Sequence, residues 1–175
     1  MIHVTKSVTV MKPRAQVYRF WRQLEHLPSF MIHLASVTEV SAVRSHWIAN
    51  APGGTHVEWD AEIVDEQENA LLFWRSCEGS DIPNTGKVRF TDAPADRGTE
   101  VRVELSYDPP GGAAGAAVAK VFGEEPSQQL TDDLRRFKQV METGEVVLSD
   151  GSLLGAGEGA SAERPAQAPA VEVRS

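Results

Sequence analysis

Alternating apolar and polar residues predict a succession of β-strands over the first two thirds of the chain. Segment 56–63 shows the alternation most clearly, because every second residue from Val57 to Ile63 is apolar and would share one face. Such strands have one buried and one solvated face, which is typical of an antiparallel sheet. After a first strand at about 2–11, strands are predicted at about 36–43, 44–50, 55–66, 69–77, 85–92 and 99–107.

Two stretches show helical spacing instead. In the first, Pro13 stands where a first helical residue is favoured, and apolar residues follow at intervals of three and four: Val17, Phe20, Trp21 and Leu24. A short helical turn is predicted near residues 30–34. The second stretch runs from 113 to about 144, with a kink or restart between Gly123 and Pro126.

The later part of this second stretch is an amphipathic helix by its pattern. Its apolar face is formed by Leu130, Leu134, Phe137 and Met141. On another face, Asp132 is predicted to pair with Arg136 four residues on. The earlier part, Ala113 to Phe122, consists mainly of small residues, which permits a close approach of its backbone to the sheet.

Strands first and a long helix last predict an α+β domain over about 1–145, with an antiparallel sheet curved around the terminal helix. An apolar cleft between sheet and helix is the default small-molecule site of such a domain. From residue 146 the sequence is rich in Gly, Ala, Pro and Glu and lacks aromatic residues. Residues 146–175 are therefore predicted to be a disordered tail, since they cannot bury enough apolar area to offset their ordering entropy.

Charge and cysteine content exclude several classes of protein. The net charge of −8 over 175 residues argues against a nucleic-acid surface, which needs clustered Lys and Arg. Cys77 is the only cysteine, so neither an intramolecular disulfide nor a Cys-based metal site can form. There is no signal-like segment and no run of roughly 20 apolar residues. We therefore expect a cytoplasmic protein, with membrane contact that is at most peripheral.

Several separated segments resemble a known superfamily. They are VYRFW at 17–21, LPSFM at 27–31, VEWDAEI at 57–63, WRS at 74–76, GKVRF at 86–90 and DLRRFK at 133–138. With the order of elements, they resemble the helix-grip fold of the START-like (SRPBCC) superfamily, and within it the bacterial polyketide cyclase/dehydrase group that includes coenzyme Q-binding-like proteins. The similarity covers about residues 1–145. It implies an elongated apolar cavity between the concave face of the sheet and the last helix.

Aromatic residues are the first candidates to line this cavity. Trp47, Trp59 and Trp74 lie in three successive predicted strands, and each either packs in the core or lines the cleft. Arg75 joins the cleft only if Phe73, rather than Trp74, faces inward. The full set of candidate ligand-binding residues is Trp47, Trp59, Trp74, Arg75, Phe90, Tyr107, Phe122 and Phe137.

Titratable residues raise the question of metal binding and of catalysis. His33, His46 and His56 lack the spacing of a zinc motif, so no metal or cofactor is predicted. Glu58, Asp60 and Glu62 alternate with apolar residues, and they are predicted to form an exposed ladder of charges with arginines of neighbouring strands. The alternative is a buried pair of one carboxylate and one arginine that orients a substrate and moves a proton.

These observations leave more than one function open. The first hypothesis is a soluble carrier or chaperone for a hydrophobic small molecule such as a quinone, lipid or polyketide-like compound. The alternative is a cyclase or dehydratase that uses general acid/base chemistry in the same cavity, which requires an inward Arg, His or carboxylate with a shifted pKa. A third hypothesis, contact of segment 113–122 and the acidic tail with a membrane or protein partner, ranks last. Ligand identity, turnover and oligomeric state stay open.

Overall fold

Seven antiparallel strands form one curved sheet in the computed structural model of the chain. The structure describes residues 2–51, 54–80, 82–108, 126–147 and 153–155. The strands are β1 Ile2–Val10, β2 Leu34–Glu39, β3 Arg44–Ala51, β4 Thr55–Gln67, β5 Leu71–Ser76, β6 Asn84–Asp92 and β7 Thr99–Tyr107. Their spatial order is β1-β7-β6-β5-β4-β3-β2, so that β2 to β7 form a meander and β1 pairs with β7.

The predicted strands are all present, and the largest difference lies at the end of β2. The pattern predicts this strand to continue to residue 43, but it ends at Glu39. The next residues turn back instead, because the amides of Val40 and Ser41 both donate to the carbonyl oxygen of Arg44. The hydroxyl of Ser41 also accepts the Arg44 N–H at 3.0 Å. Local hydrogen bonds of this kind compete with strand pairing, which explains the early end of the strand.

Besides a single 3₁₀ turn at Pro94–Asp96, three helical elements lie among the described residues and complete the α+β architecture. They are α1 Arg14–Arg22, a 3₁₀ helix Leu24–Ser29 and the C-terminal helix α2 Pro126–Thr143. The ring of Trp21 in α1 is fully buried, with centroids 6.3 Å from Phe90 of β6 and 5.0 Å from Phe137 of α2. The core therefore lies between one face of the sheet and these helices. The short turn predicted near 30–34 occurs earlier, as the 3₁₀ helix.

Helix α2 presents the predicted apolar face to the core, and Leu130, Leu134, Phe137 and Met141 are all buried. Polar contacts hold its second half. The Lys138 ammonium donates to the carbonyl oxygen of Thr9 at 2.6 Å, and Glu142 accepts the Met11 N–H at 2.8 Å. The predicted pair of Asp132 with Arg136 is wrong. Arg136 donates to Asp133 instead, whereas Asp132 accepts from Gln128 and Arg135.

Only part of the C-terminal region can be compared with the prediction. Strands β8 Glu145–Val147 and β9 Leu153–Gly155 form a short antiparallel pair. The remaining residues of the predicted disordered tail lie outside the described residues, as does the predicted helical segment 113–122 with Phe122. Within the described ranges, no helix is both long enough and apolar enough to cross a membrane.

Candidate functional site

A cavity lies between the inner face of the sheet and the first turns of α2. Aliphatic residues from three directions contribute to its walls, with Val4 and Leu105 as register partners on β1 and β7, Leu34 at the start of β2 and Leu130 on α2. It encloses about 60 Å³. This volume holds only a few water molecules, since one water needs about 10–15 Å³.

Three stacked tryptophans form the aromatic wall. Trp47 of β3 and Trp59 of β4 are register partners, and their ring centroids are 5.8 Å apart with planes 25° from parallel. Trp74 of β5 lies 5.9 Å from Trp47 with an interplanar angle of 24°. Their exposed fractions are 4%, 5% and 3%. Aromatic contacts of this kind contribute about 0.5–1.5 kcal/mol beyond the burial of area.

The position of the Trp74 ring depends on a glycine in the neighbouring strand. Gly86 of β6 is the register partner of Trp74. A Cβ atom at Gly86 would lie 2.2 Å from Cζ2 of Trp74, so the indole occupies the space that any other side chain would fill. The missing side chain therefore lets the ring lie flat against the backbone of β6.

One end of the cavity is polar, and His33 and Asp133 form it together. Nδ1 of His33 lies 3.9 Å from Oδ2 of Asp133. The other carboxylate oxygen, Oδ1, accepts a hydrogen bond from Nη2 of Arg136 at 2.5 Å. Nε of Arg136 in turn donates to the carbonyl oxygen of Phe30 at 3.0 Å. These contacts hold Asp133 in a defined orientation between the helix and the segment that precedes β2.

Burial shifts the titration of both cavity residues. It lowers the pKa of His33 to about 4, and the positive charge of Arg136 acts in the same direction. Burial raises the pKa of Asp133 to about 6, although the hydrogen bond and charge of Arg136 oppose that shift. At neutral pH the imidazole is therefore neutral, and the carboxylate is mostly ionised and paired with Arg136.

The predicted ligand-binding residues divide into two groups. Trp47, Trp59, Trp74 and Tyr107 line the cavity. Phe90 and Phe137 are fully buried elsewhere in the core, because α1 and the 3₁₀ helix cover this part of the sheet. Both rings pack on Trp21, and neither is among the lining residues. Their predicted position in the cavity is therefore wrong. Phe122 lies outside the described residues.

The prediction that Arg75 enters the cleft is wrong. Trp74 faces the cavity, so the alternation of the strand directs Arg75 to the opposite face. Its side chain is 56% exposed and donates to Glu62 at 3.0 Å. His46 lies on the same outer face, where Nδ1 is 2.7 Å from Asp60. The exposed ladder of charges is thus confirmed, and it lies away from the cavity.

Sequence reasoning missed the polar end of the cavity, although one signal was available. Asp133 lies three residues after Leu130 and four before Phe137, which places a carboxylate within the apolar stripe of the helix. His33 carries no comparable signal, since it lies between the 3₁₀ helix and β2 where no period applies. Among the residues that the structure describes, no group of three His, Cys, Asp or Glu side chains is arranged to hold a metal ion.

Comparisons with known proteins agree with this architecture. A family model described as polyketide cyclase / dehydrase and lipid transport matches residues 10–135. A crystal structure of a Deinococcus radiodurans protein is 41% identical, with a TM-score of 0.67, and the match covers 82% of this chain and 99% of that one. No curated protein matches the chain.

Two more distant structures show the fold alone. A START superfamily protein from Mycobacterium smegmatis is 17% identical with a TM-score of 0.59, over 79% of this chain and 98% of that one. The di-domain aromatase/cyclase BexL of the BE-7585A biosynthetic pathway is 18% identical with a TM-score of 0.55, over 81% of this chain and 50% of BexL. The family model and the Deinococcus radiodurans relative show that the chain belongs to the polyketide cyclase / dehydrase and lipid transport family, and its fold is the START-like helix-grip fold.

Proposed function

We propose that the protein binds a hydrophobic small molecule between the sheet and α2, as a carrier or chaperone for a quinone, lipid or polyketide-like compound. The stack of Trp47, Trp59 and Trp74 on the cavity wall is the observation that carries this proposal. Flat aromatic faces beside aliphatic side chains suit a planar apolar ligand, and pockets of this composition are typical small-molecule sites. The family supports hydrophobic ligands in general.

The size of the cavity sets a condition on binding. Ligand pockets usually enclose about 300–1,000 Å³, whereas this cavity encloses about 60 Å³. A ligand of that size would therefore have to widen the cavity or extend beyond it. The hydrogen bonds that tie α2 to β1 and to Phe30 come from Arg136, Lys138 and Glu142, in its second half. We infer that widening occurs at the first turns of the helix, where Pro126 and Leu130 line the cavity.

Native mass spectrometry of the protein purified from its source organism tests the proposal. Gentle conditions should show a bound mass, and denaturing conditions with extraction should release an apolar molecule. A matched pair of variants locates the site. Leu105→Trp fills the cavity and should abolish the bound mass, whereas Arg102→Trp places the same side chain on the exposed face of the same strand and should retain it. Equal ligand content in both variants would contradict the proposed site.

The second candidate function is a cyclase or dehydratase that uses the same cavity. His33 and Asp133 in the cavity wall favour it, because a neutral imidazole can accept a proton and a carboxyl group with a pKa of about 6 can exchange one near neutral pH. The recovered ligand, incubated with the protein, should then lose water or cyclise. With the ligand in excess, so that weaker binding does not limit occupancy, His33→Gln and Asp133→Asn should stop the conversion. Unchanged ligand after prolonged incubation with wild-type protein would contradict the enzymatic function, and the carrier function would then be the remaining proposal.

A further inference from the structure

The polar end of the cavity contains a carboxylate, that of Asp133, which is almost fully buried. Asp133 is 2% exposed and occupies a position within the apolar stripe of α2, where a leucine would complete the core. Burial of a carboxylate costs several kcal/mol, and a partner offsets that cost only in part. Arg136 occupies one of its two oxygens. The second oxygen, Oδ2, lies on the side of His33 and the cavity.

The distance between these two groups leaves room for a third atom. Nδ1 of His33 and Oδ2 of Asp133 are 3.9 Å apart, which is too long for a direct hydrogen bond. One ligand oxygen can nevertheless lie about 2.8 Å from both atoms, which is an ordinary hydrogen-bond distance. An atom in that position would lie between two buried polar groups of a mainly apolar cavity, whose other polar lining residues are Asn84, Thr85, Ser106 and Gln129.

We propose that Asp133 and His33 bind a hydroxyl group of the ligand, and that the ligand is a neutral apolar molecule with a hydroxyl rather than a carboxylic acid. This inference rests on the proposed binding function and specifies its ligand class. An ionised carboxylate only accepts hydrogen bonds, so its ligand partner must be a donor. A hydroxyl donates to Asp133 and at the same time accepts from His33 in the tautomer that carries its proton on Nδ1, which the nearby carboxylate favours. A ketone cannot donate, and a ligand carboxylate would bring a second negative charge beside Asp133.

Because Asp133 and His33 are buried, the site should select a ligand that carries a hydroxyl group. A site built to hydrogen-bond a hydroxyl rejects the analogue that lacks it, because its own polar groups are then left without that partner. A hydrogen bond to a charged group corresponds to a gain of about ten-fold or more in affinity. The hydroxylated ligand should therefore bind at least about ten-fold more tightly than the matched hydrocarbon.

Three probes of one shape test this inference: naphthalene, 2-naphthol and 2-naphthoate at neutral pH. Calorimetric titration gives their affinities, and the indole N–H signals in ¹H–¹⁵N spectra report the location. Signals of Trp47, Trp59 and Trp74 should shift, whereas that of Trp21, in the core away from the cavity, should not. We expect 2-naphthol to bind about ten-fold more tightly than naphthalene, and 2-naphthoate to bind most weakly.

Asp133→Asn and Asp132→Asn form a matched pair of variants on neighbouring positions of α2. The first should reduce the advantage of 2-naphthol several-fold and improve the relative binding of 2-naphthoate. The second alters a carboxylate that is 38% exposed and bonded to Gln128, and it should leave the order of affinities unchanged. If Asp133→Asn does not fold, the wild-type series still decides the question.

The possible failures are distinguishable. Equal affinity for naphthalene and 2-naphthol, or tightest binding of 2-naphthoate, would overturn the hydroxyl site and leave the binding function intact. An advantage of 2-naphthol that survives in Asp133→Asn would also overturn it. Absence of binding by all three probes, with no shift of the three indole signals, would contradict the binding function and the inference together.

Discussion

Gly86 and Trp74 illustrate how a single residue shapes the cavity wall. The backbone of Gly86 is not in a left-handed conformation, so its role is to leave space rather than to make a turn. The indole of Trp74 takes that space and stacks beside Trp47. The aromatic wall therefore depends on the absence of a side chain at Gly86 as well as on the three indole rings.

Gly86→Ala should displace the Trp74 ring, because the new methyl group would meet it at 2.2 Å. Overpacking of this kind typically costs about 1–3 kcal/mol of unfolding free energy. Urea unfolding gives the cost, and the indole N–H signal of Trp74 gives the displacement. Thr91→Ala, at an exposed position of the same strand, is the control and should change neither. An unchanged Trp74 signal in Gly86→Ala would contradict the role given to the glycine.

His33→Gln should reduce the loss of stability in mild acid. The folded pKa of about 4 lies below the ordinary 6.5, so the stability that neutral His33 contributes is present above pH 6.5 and lost as pH falls towards 4. Urea unfolding at pH 7 and pH 5 should show a smaller decrease for the variant, by roughly 1–2 kcal/mol. The raised pKa of Asp133 acts in the opposite direction between about 4 and 6, but it is present in both proteins. Equal decreases would contradict the assignment.

Helix α2 is the element that joins the cavity to the rest of the domain. Its apolar face packs on the core, and Arg136 links Asp133 to the carbonyl oxygen of Phe30. The pair of Asp133 with Arg136 is spaced by three residues, whereas the exposed pair of Asp132 with Arg135 has the same spacing and little burial. The same local chemistry thus occurs in two environments on one helix.

Because one pair is buried and the other exposed, replacing the arginine of each pair should reduce the free energy of unfolding by different amounts. Arg136→Met leaves the buried carboxylate unpaired and should destabilise the protein by about 3–5 kcal/mol. Arg135→Met removes a surface pair and should cost less than about 1 kcal/mol. Urea unfolding of both variants measures the difference. The double variant Arg136→Met with Asp133→Leu should recover most of the loss, since it removes the buried charge as well. Equal costs for the two single variants would show that burial does not matter here.

At the scale of the whole molecule, the cavity lies between the sheet and α2, and the contacts that restrain α2 are distributed unevenly along the helix. The sheet is continuous from β1 to β2, whereas α2 is tied to its surroundings by the polar contacts of Arg136, Lys138 and Glu142. On the proposed binding function, a ligand larger than about 60 Å³ is expected to separate the sheet from some part of this helix. The first turns of α2 are the part that the ties leave least restrained.

Hydrogen exchange should reveal this uneven restraint. Amides in residues 129–133 of α2 should exchange faster than those in 136–142, because local opening is easier where fewer contacts must break. Addition of 2-naphthol should slow exchange in 129–133 more than in 136–142. Residues 88–92 of β6, which are not among the lining residues of the cavity, provide the reference for global unfolding. Uniform exchange along the helix, with or without the ligand, would contradict opening at its first turns.

The strand and helix patterns by themselves determined the order of elements and the fold class. Alternation along 56–63 and 99–107 and the stripe of α2 are local properties, and a period of two or of 3.6 residues states which face is buried. The same patterns placed Trp47, Trp59 and Trp74 in three successive strands and Trp59 on an apolar face, but they left open whether Trp74 or Phe73 faces inward. The spacing of apolar residues in the sequence predicts which side chains are buried, but it does not predict which neighbouring element covers each of them.

Tertiary structure alone decided the composition of the cavity. Phe90 and Phe137 are as apolar as the tryptophans, yet α1 covers them and leaves the three indoles open to the cavity. His33 and Asp133 are 100 positions apart in sequence, and they meet because the segment before β2 and helix α2 pack together at one end of the sheet. Such a meeting depends on the packing of whole elements, which no local pattern records.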